Sequence, residues 1–142
     1  ELWLHGEAGA VCAVDHRRKL LGGLITNTGT IPAGNSGRWI GAMLEQQDRL
    51  VVPAITLLEV FKWVLHEHSE AQAIQAVAVM QGGQVVDLDS RLAIAAAQLS
   101  HSLRLPMADS IILATARSQQ ARLYTMDADF QGLTDVEFIQ KR

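Results

Sequence analysis

Residues 105–130, LPMADSIILATARSQQARLYTMDADF, constrain the fold more than any other part of this chain. Pro106 is typical of the first turn of a helix, where its missing N–H costs no hydrogen bond. The helix that follows is apolar on almost every side, which predicts that it is buried. Residues 123–126 then form a short strand-like run. A buried helix followed by a buried strand is typical of the interior of an α/β domain.

Three carboxylates flank this helix–strand unit. Asp109 lies in the first turn of the helix, where the positive end of the helix dipole favours an anion. Asp127 and Asp129 follow the strand directly, and alternate residues of such a loop can turn toward a common site. Each acid also has a simpler explanation, because first-turn acids are common and aspartate readily shapes a turn by bonding its own backbone.

The remaining chain predicts further strands alternating with helices. Strand-like runs cover residues 10–14, 49–55, 84–88 and 136–139, and helices are expected over residues 38–47, from Thr56, from Ser69 to Gly82, and over 92–99. This order predicts an α/β three-layer sandwich with a mostly parallel central sheet. At 142 residues the chain is expected to form one domain, residues 1–142.

Composition limits the functional classes. No apolar run approaches the roughly 18 residues that span a membrane. Cys12 is the only cysteine, which excludes an internal disulfide and favours a reducing, cytoplasmic location. The net charge of −3 argues against general electrostatic capture of nucleic acid. Four arginines could still contact phosphates or simply be exposed helix and loop residues; they are Arg91, Arg104, Arg117 and Arg122.

A fourth acid, Glu59, has two explanations. The sequence Thr56-Leu-Leu-Glu59 has the form of a capping box, in which the glutamate bonds the start of a helix. Glu59 also follows a strand-like run, as Asp127 does, and open parallel sheets bind ligands beyond the carboxyl ends of their strands. Asp109 opens a helix whose start should face the same edge. The second explanation therefore predicts that these acids form a cluster.

A cluster of carboxylates requires compensation. Two unit charges about 4 Å apart repel by on the order of 4 kcal/mol at an effective dielectric of ~20. Such a cluster takes up a proton or holds a cation. Ligand sets made only of oxygen favour Mg²⁺ or Mn²⁺. An enzyme with an aspartyl nucleophile is disfavoured, because such enzymes place the D-x-D motif early, and here it ends at Asp129.

Three segments in order carry a family resemblance. They are Val52-Pro-Ala-Ile-Thr-Leu-Leu-Glu59-Val, Leu105-Pro-Met-Ala-Asp109-Ser-Ile-Ile and Tyr124-Thr-Met-Asp127-Ala-Asp129-Phe130. Together they resemble the PIN domain, and within it the VapC-type toxins of bacterial toxin–antitoxin pairs. Order, spacing and flanking residues agree over roughly residues 35–132.

The resemblance implies a PIN-like, Rossmann-like fold and a ribonuclease whose acids hold Mg²⁺ or Mn²⁺. Glu59, Asp109 and Asp127 match the family's second, third and fourth acidic positions, which are both catalytic and metal-binding. Asp129 matches an often acidic neighbour, and Thr125 matches a hydroxyl position beside the site. The resemblance further implies the toxin of a type II pair, a homodimer inhibited by an antitoxin that inserts a segment into the acidic groove.

Residues 1–34 depart from the family pattern. The family opens with an apolar strand that ends in Asp and is followed by Ser or Thr, whereas here His16 follows Asp15. Asp15 is the candidate for the first metal ligand. The alternative is that residues 1–34 are not the family's native start. The chain would then be a catalytically inactive PIN-like module that binds an antitoxin or self-associates.

Overall fold

The structure is a computed structural model of the chain and describes residues 2–6, 13 and 14, 51–125 and 128–138. The helix predicted over residues 38–47 lies outside these residues. So do the candidate ligands Asp15 and Asp127.

The described residues form six short strands in two sheets. These are β1 (Leu2–Gly6), β2 (Ala13–Val14), β3 (Val51–Pro53), β4 (Gln84–Val86), β5 (Ala121–Thr125) and β6 (Val136–Phe138). β3 pairs in parallel with β4, and β5 pairs in parallel with β6. β1 runs antiparallel to both β2 and β5, which gives the larger sheet the order β2-β1-β5-β6. β5 is therefore paired on both sides.

Four α-helices and one 3₁₀ helix connect the strands of the described chain. These are α1 (Ala54–Glu67), α2 (Glu70–Met80), α3 (Ser90–Leu103), α4 (Met107–Ser118) and the 3₁₀ helix Ala128–Phe130. The Ser69 hydroxyl caps α2 by accepting a bond from the N–H of Gln72 at 3.2 Å. Asp89 caps α3 by accepting from the N–H of Leu92 at 2.8 Å. None of the described helices is long and apolar enough to cross a lipid bilayer.

α4 is the most buried helix of the described chain. Eight successive residues, 109–116, are buried. Ile112 and Leu113 pack with Leu123 of β5 and Val52 of β3, all of them fully or almost fully buried. Burying one such side chain contributes about 1.5–3 kcal/mol relative to leaving it exposed. The predicted buried helix and strand are confirmed, and they join β3 and β5 through one core.

The parallel pairings confirm the predicted α/β class, and the N-terminal strands add a feature that was not predicted. The strand expected over residues 10–14 is present at Ala13–Val14. β1 was missed because its short sequence has no turn residues in front of it, and its pairing partner β5 lies more than a hundred residues away. Its antiparallel direction sets β1 apart from the parallel pairs that follow.

The start of α1 corrects the sequence prediction. The strand expected over residues 49–55 ends at Pro53, because proline has no N–H for a strand ladder. The helix begins at Ala54, so Thr56 already lies in its first turn, and its buried hydroxyl donates a bond to the Pro53 carbonyl at 2.7 Å. The capping box predicted at Thr56 is therefore wrong. Glu59 lies in the second turn, beyond the unpaired N–H groups of the helix start.

Candidate functional site

Asp109 is a buried acid at the start of α4. The helix begins directly after Pro106, and Asp109 lies in its first turn with 7% of its surface exposed. The helix dipole favours a negative charge at this position. A first-turn acid that serves only the helix can stay in water, whereas burying a carboxylate is costly unless it is paired, hydrogen-bonded or metal-bound. Asp109 has an interaction partner in the structure, as a buried carboxylate requires, and its burial distinguishes it from an exposed first-turn acid.

Asp109 and the end of β5 lie at the same end of the helix–strand unit. α4 has 12 residues and β5 has 5, which gives lengths of about 18 and about 17 Å. Gln119 and Gln120 join the two, and α4 packs against β5. Because this turn reverses the chain, the first turn of α4 is level with Thr125, the last residue of β5.

Glu59 approaches from the neighbouring helix. α1 contacts α4, and Ile55 in the first turn of α1 packs against the core clusters that contain Ile111 and Ile112. Glu59 lies one turn beyond Ile55 and is half-buried. This burial raises the pKa of the Glu59 carboxyl above its usual value near 4.5, while the Lys62 ammonium lowers it. A half-buried acid whose pKa is raised by burial is more frequent at functional sites than elsewhere.

The structure says less about the other predicted site residues. Asp129 is exposed in the 3₁₀ helix, next to Phe130, which is completely buried. Within residues 51–125 and 128–138, no three His, Cys, Asp or Glu side chains are grouped so that they could hold a metal ion. Glu59 lies in the second turn of α1 and Asp109 in the first turn of α4, and these two helices contact each other. The functional roles of Glu59, Asp109, Asp15, Asp127, Asp129 and Thr125 all stay predictions.

The raised pKa of Glu59 predicts a specific pH dependence of stability. Because the folded state favours the protonated carboxyl, ionised Glu59 destabilises the fold, and this effect grows as the pH rises through the folded pKa. Below about pH 4.5 both states are protonated, and the effect disappears. Glu59→Gln, which mimics the neutral form, should therefore melt at a higher temperature than the natural chain at neutral pH in EDTA. The difference should vanish in acid. A variant that melts lower at neutral pH would contradict this explanation.

The arginines divide into structural and exposed groups. One Arg117 Nη donates a bond to the Thr134 carbonyl at 3.2 Å, and its Nε lies 4.0 Å from a carboxylate oxygen of Asp135. Arg117 therefore ties the end of α4 to the start of β6, away from Asp109. Arg104 is exposed and adopts a left-handed backbone with φ 54°. The sequence analysis did not predict this conformation. A signal was present, because Pro106 marks the end of α3, and helices often end with a left-handed residue that is usually glycine.

Comparison with known proteins agrees with this architecture. The model of the PIN domain family matches residues 35–135 of the chain. A toxin–antitoxin complex from Klebsiella pneumoniae has a similar structure, with a TM-score of 0.59 and 24% identity over 69% of this chain and 80% of that chain. DNA-bound VapBC from Salmonella typhimurium gives a TM-score of 0.59 and 17% identity over 72% of this chain and 83% of that chain.

At these identities the two solved structures establish the fold. No curated protein sequence matches the chain significantly. The family match covers most of the chain, including β3, α1, α4 and β5, which carry or adjoin the candidate acids. The chain belongs to the PIN domain family.

Proposed function

We propose that this chain is a VapC-type toxin of a type II toxin–antitoxin pair, and that it is a Mg²⁺- or Mn²⁺-dependent ribonuclease. The observation that carries the proposal is the burial of Asp109 in the first turn of α4. Membership of the PIN family supports it. So does the similarity to two structures that are described as a toxin–antitoxin complex and as VapBC.

The acids present fit a hard divalent cation. Asp109 and Glu59 offer carboxylate oxygens, which are the donors that Mg²⁺ and Mn²⁺ prefer. The burial that disfavours the charged form of Glu59 is offset when a cation lies beside it. Asp127 would extend the donor set, and Asp15 is the candidate for the first ligand. Asp129, which the described structure does not group with Glu59 and Asp109, would be a ligand only in the metal-bound state.

In the proposed reaction the chain positions an RNA phosphodiester over these acids. Glu59, Asp109 and Asp127 would hold the cation, and Thr125 would contact the substrate or the attacking water through its hydroxyl. A bound Mg²⁺ or Mn²⁺ supplies Lewis-acid chemistry, which activates water and stabilises charge on the phosphate. The products would be two RNA fragments.

An exposed surface favours protein binding as a second function. α1 and α2 line a shallow, open apolar groove of about 540 Å³. Its lining includes Phe61 and two leucines that face solvent, Leu58 with 59% and Leu65 with 48% of its surface exposed. Exposed apolar patches of this kind mark interaction sites. This surface would suit binding of the antitoxin or of a second copy of the chain, which we propose as partners. It would equally suit a catalytically inactive module that only binds an antitoxin or self-associates.

Growth of a bacterial host separates the two functions. Expression of the natural chain should arrest growth, and Asp109→Asn should not, although both proteins accumulate to the same level. Co-expression of the product of the neighbouring gene should restore growth. Unimpaired growth with abundant natural protein would instead favour the inactive binding module.

A further inference from the structure

A second groove, which the proposed function has not used, lies between α3 and α4. It has a volume of about 580 Å³, within the range of about 300–1,000 Å³ that is usual for small-ligand sites. α3 contributes small side chains to it, among them Ala93, Ala96 and Ala97. We call this space the α3–α4 groove.

The walls of the α3–α4 groove are apolar. Two serines line it, but both hydroxyls are engaged with the backbone: Ser100 donates to the Leu105 carbonyl at 2.7 Å, and Ser110 donates to the Met107 carbonyl at 2.6 Å. Met107 also lines the groove and has 79% of its surface exposed. A polarizable thioether beside flat aliphatic walls favours contact with an aromatic ring.

The charge around the α3–α4 groove favours a ligand that carries phosphate. No carboxylate is among its lining residues in the described chain, and the imidazole of His101 is among them. The exposed Arg104 lies in the turn between the lining residues His101 and Met107. Asp89 adjoins the far end of the groove, where its carboxylate caps α3. Arg104 therefore places a cationic charge at the end nearest the start of α4, whereas at the far end the exposed Arg91 lies close to Asp89 in the sequence.

Arg104 occupies a backbone conformation that glycine would adopt without strain. Its φ of 54° lies in the left-handed region, where a residue with a Cβ is disfavoured by roughly 1–2 kcal/mol. Strained residues of this kind are frequent at binding sites. Arg104 precedes Asp109 by five residues and lies at the same end of α4.

We propose that the α3–α4 groove binds an unstacked base of single-stranded RNA, and that Arg104 contacts the phosphate next to that base. This inference rests on the proposed ribonuclease function. Met107 and Ser110 turn toward α3, whereas Asp109 leaves α4 from another side, and a helix is about 10 Å wide. The bound base thus belongs to a nucleotide near the scissile phosphate and not to the one that is cleaved. The groove would contribute to the choice of cleavage site.

Filling the groove tests the base contact. Ala97 lines the groove and is exposed, so Ala97→Met fills it without disturbing the core. Ala78→Met is the matched control, because Ala78 is an exposed alanine on α2. Both are made in full-length Asp109→Asn protein, so that the RNA stays intact. The anisotropy of a short fluorescein-labelled single-stranded RNA of mixed sequence reports affinity. Losing one base contact should weaken binding about ten-fold in Ala97→Met, and Ala78→Met should leave it unchanged.

Arg104→Gly tests the phosphate contact in the same assay. Removing the strain should raise the melting temperature, while losing one phosphate contact should lower the slope of log affinity against log salt by about 0.7. A protein that is more stable and yet binds RNA more weakly excludes misfolding as the cause. Unchanged affinity and an unchanged salt slope would remove Arg104 from the RNA site.

The outcomes separate the groove from the proposed function. Failure of the Asp109→Asn protein to bind RNA at all would contradict the ribonuclease proposal itself. If the Asp109→Asn protein binds RNA, and adding Ala97→Met or Arg104→Gly leaves its affinity unchanged, only the groove assignment is overturned. If Ala97→Met binds RNA normally but no longer binds the product of the neighbouring gene, the groove assignment is also overturned. The groove would then be assigned to a protein partner.

Discussion

Asp109→Asn should reduce Mg²⁺- or Mn²⁺-dependent RNA cleavage by about 10³-fold or more, since a metal contributes several kcal/mol to such a reaction and each 1.36 kcal/mol is a factor of ten. Asparagine has nearly the same size and removes the anionic donor. The fold should survive, because the lost interaction with the helix dipole is worth about 0.3–1 kcal/mol, up to ~2 kcal/mol when partly buried. Cleavage of a labelled RNA and the melting temperature are measured together.

Asp135→Asn is the matched control for this change. Asp135 precedes β6, has a left-handed backbone with φ 64°, and lies beside Leu123, two residues short of the end of β5. Asparagine tolerates that backbone, and the exposed ion pair with Arg117 is worth at most about 1 kcal/mol. Asp135→Asn should therefore cleave RNA at the natural rate. Equal activities of the two variants would remove Asp109 from the catalytic site.

Phe130→Ala should destabilise the fold by about 3–5 kcal/mol. Phe130 is completely buried, and it packs in the same cluster as Ile112, Leu113 and Leu123. It also anchors the 3₁₀ helix Ala128–Phe130, which follows Asp127 in the sequence. We therefore expect the melting temperature of Phe130→Ala to fall by about 6–20 °C, at about 2–4 °C per kcal/mol for larger domains. We also expect added metal to raise the melting temperature of this variant less than that of the natural chain.

Two further variants define the limits of this effect. Leu58→Ala removes a side chain that is 59% exposed, so it should change stability by less than about 1 kcal/mol. Phe130→Leu keeps most of the apolar volume and should cost much less than Phe130→Ala. If Phe130→Ala melts close to the natural chain, the 3₁₀ helix is not anchored in the core as described.

The part of the fold around α4 and β5 was predictable because its signals are local. A proline at the helix start, an apolar helix and a short strand are all legible within residues 105–130, and each was confirmed. The caps at Ser69 and Asp89 are local in the same way, since a cap depends on a few adjacent residues.

The start of α1 shows where local reading fails. Thr56-Leu-Leu-Glu59 has the form of a capping box, yet the helix begins two residues earlier because Pro53 ends the strand. The box pattern specifies residue types, whereas the helix start depends on where the preceding strand loses its pairing. The correction strengthens the functional explanation of Glu59, because capping no longer accounts for it.

The surfaces could not be predicted from the sequence. The alanines of α3 are recognisable as small apolar residues. They line a groove only because the start of α4 packs beside them. The left-handed backbone of Arg104, in contrast, is a local feature of the end of α3, which Pro106 marks in the sequence. Only the groove depends on long-range packing, and no short motif encodes it.

Cleavage of RNA by the natural chain in the presence and absence of metal tests the central claim most directly. Purified full-length protein is incubated with a labelled single-stranded RNA in EDTA, in Mg²⁺ and in Mn²⁺, with Asp109→Asn as the control for contaminating nuclease. We predict cleavage with Mg²⁺ or Mn²⁺, none with EDTA, and none by the variant. Cleavage that persists in EDTA, or an intact RNA with both metals, would contradict a metal-dependent ribonuclease site at these acids.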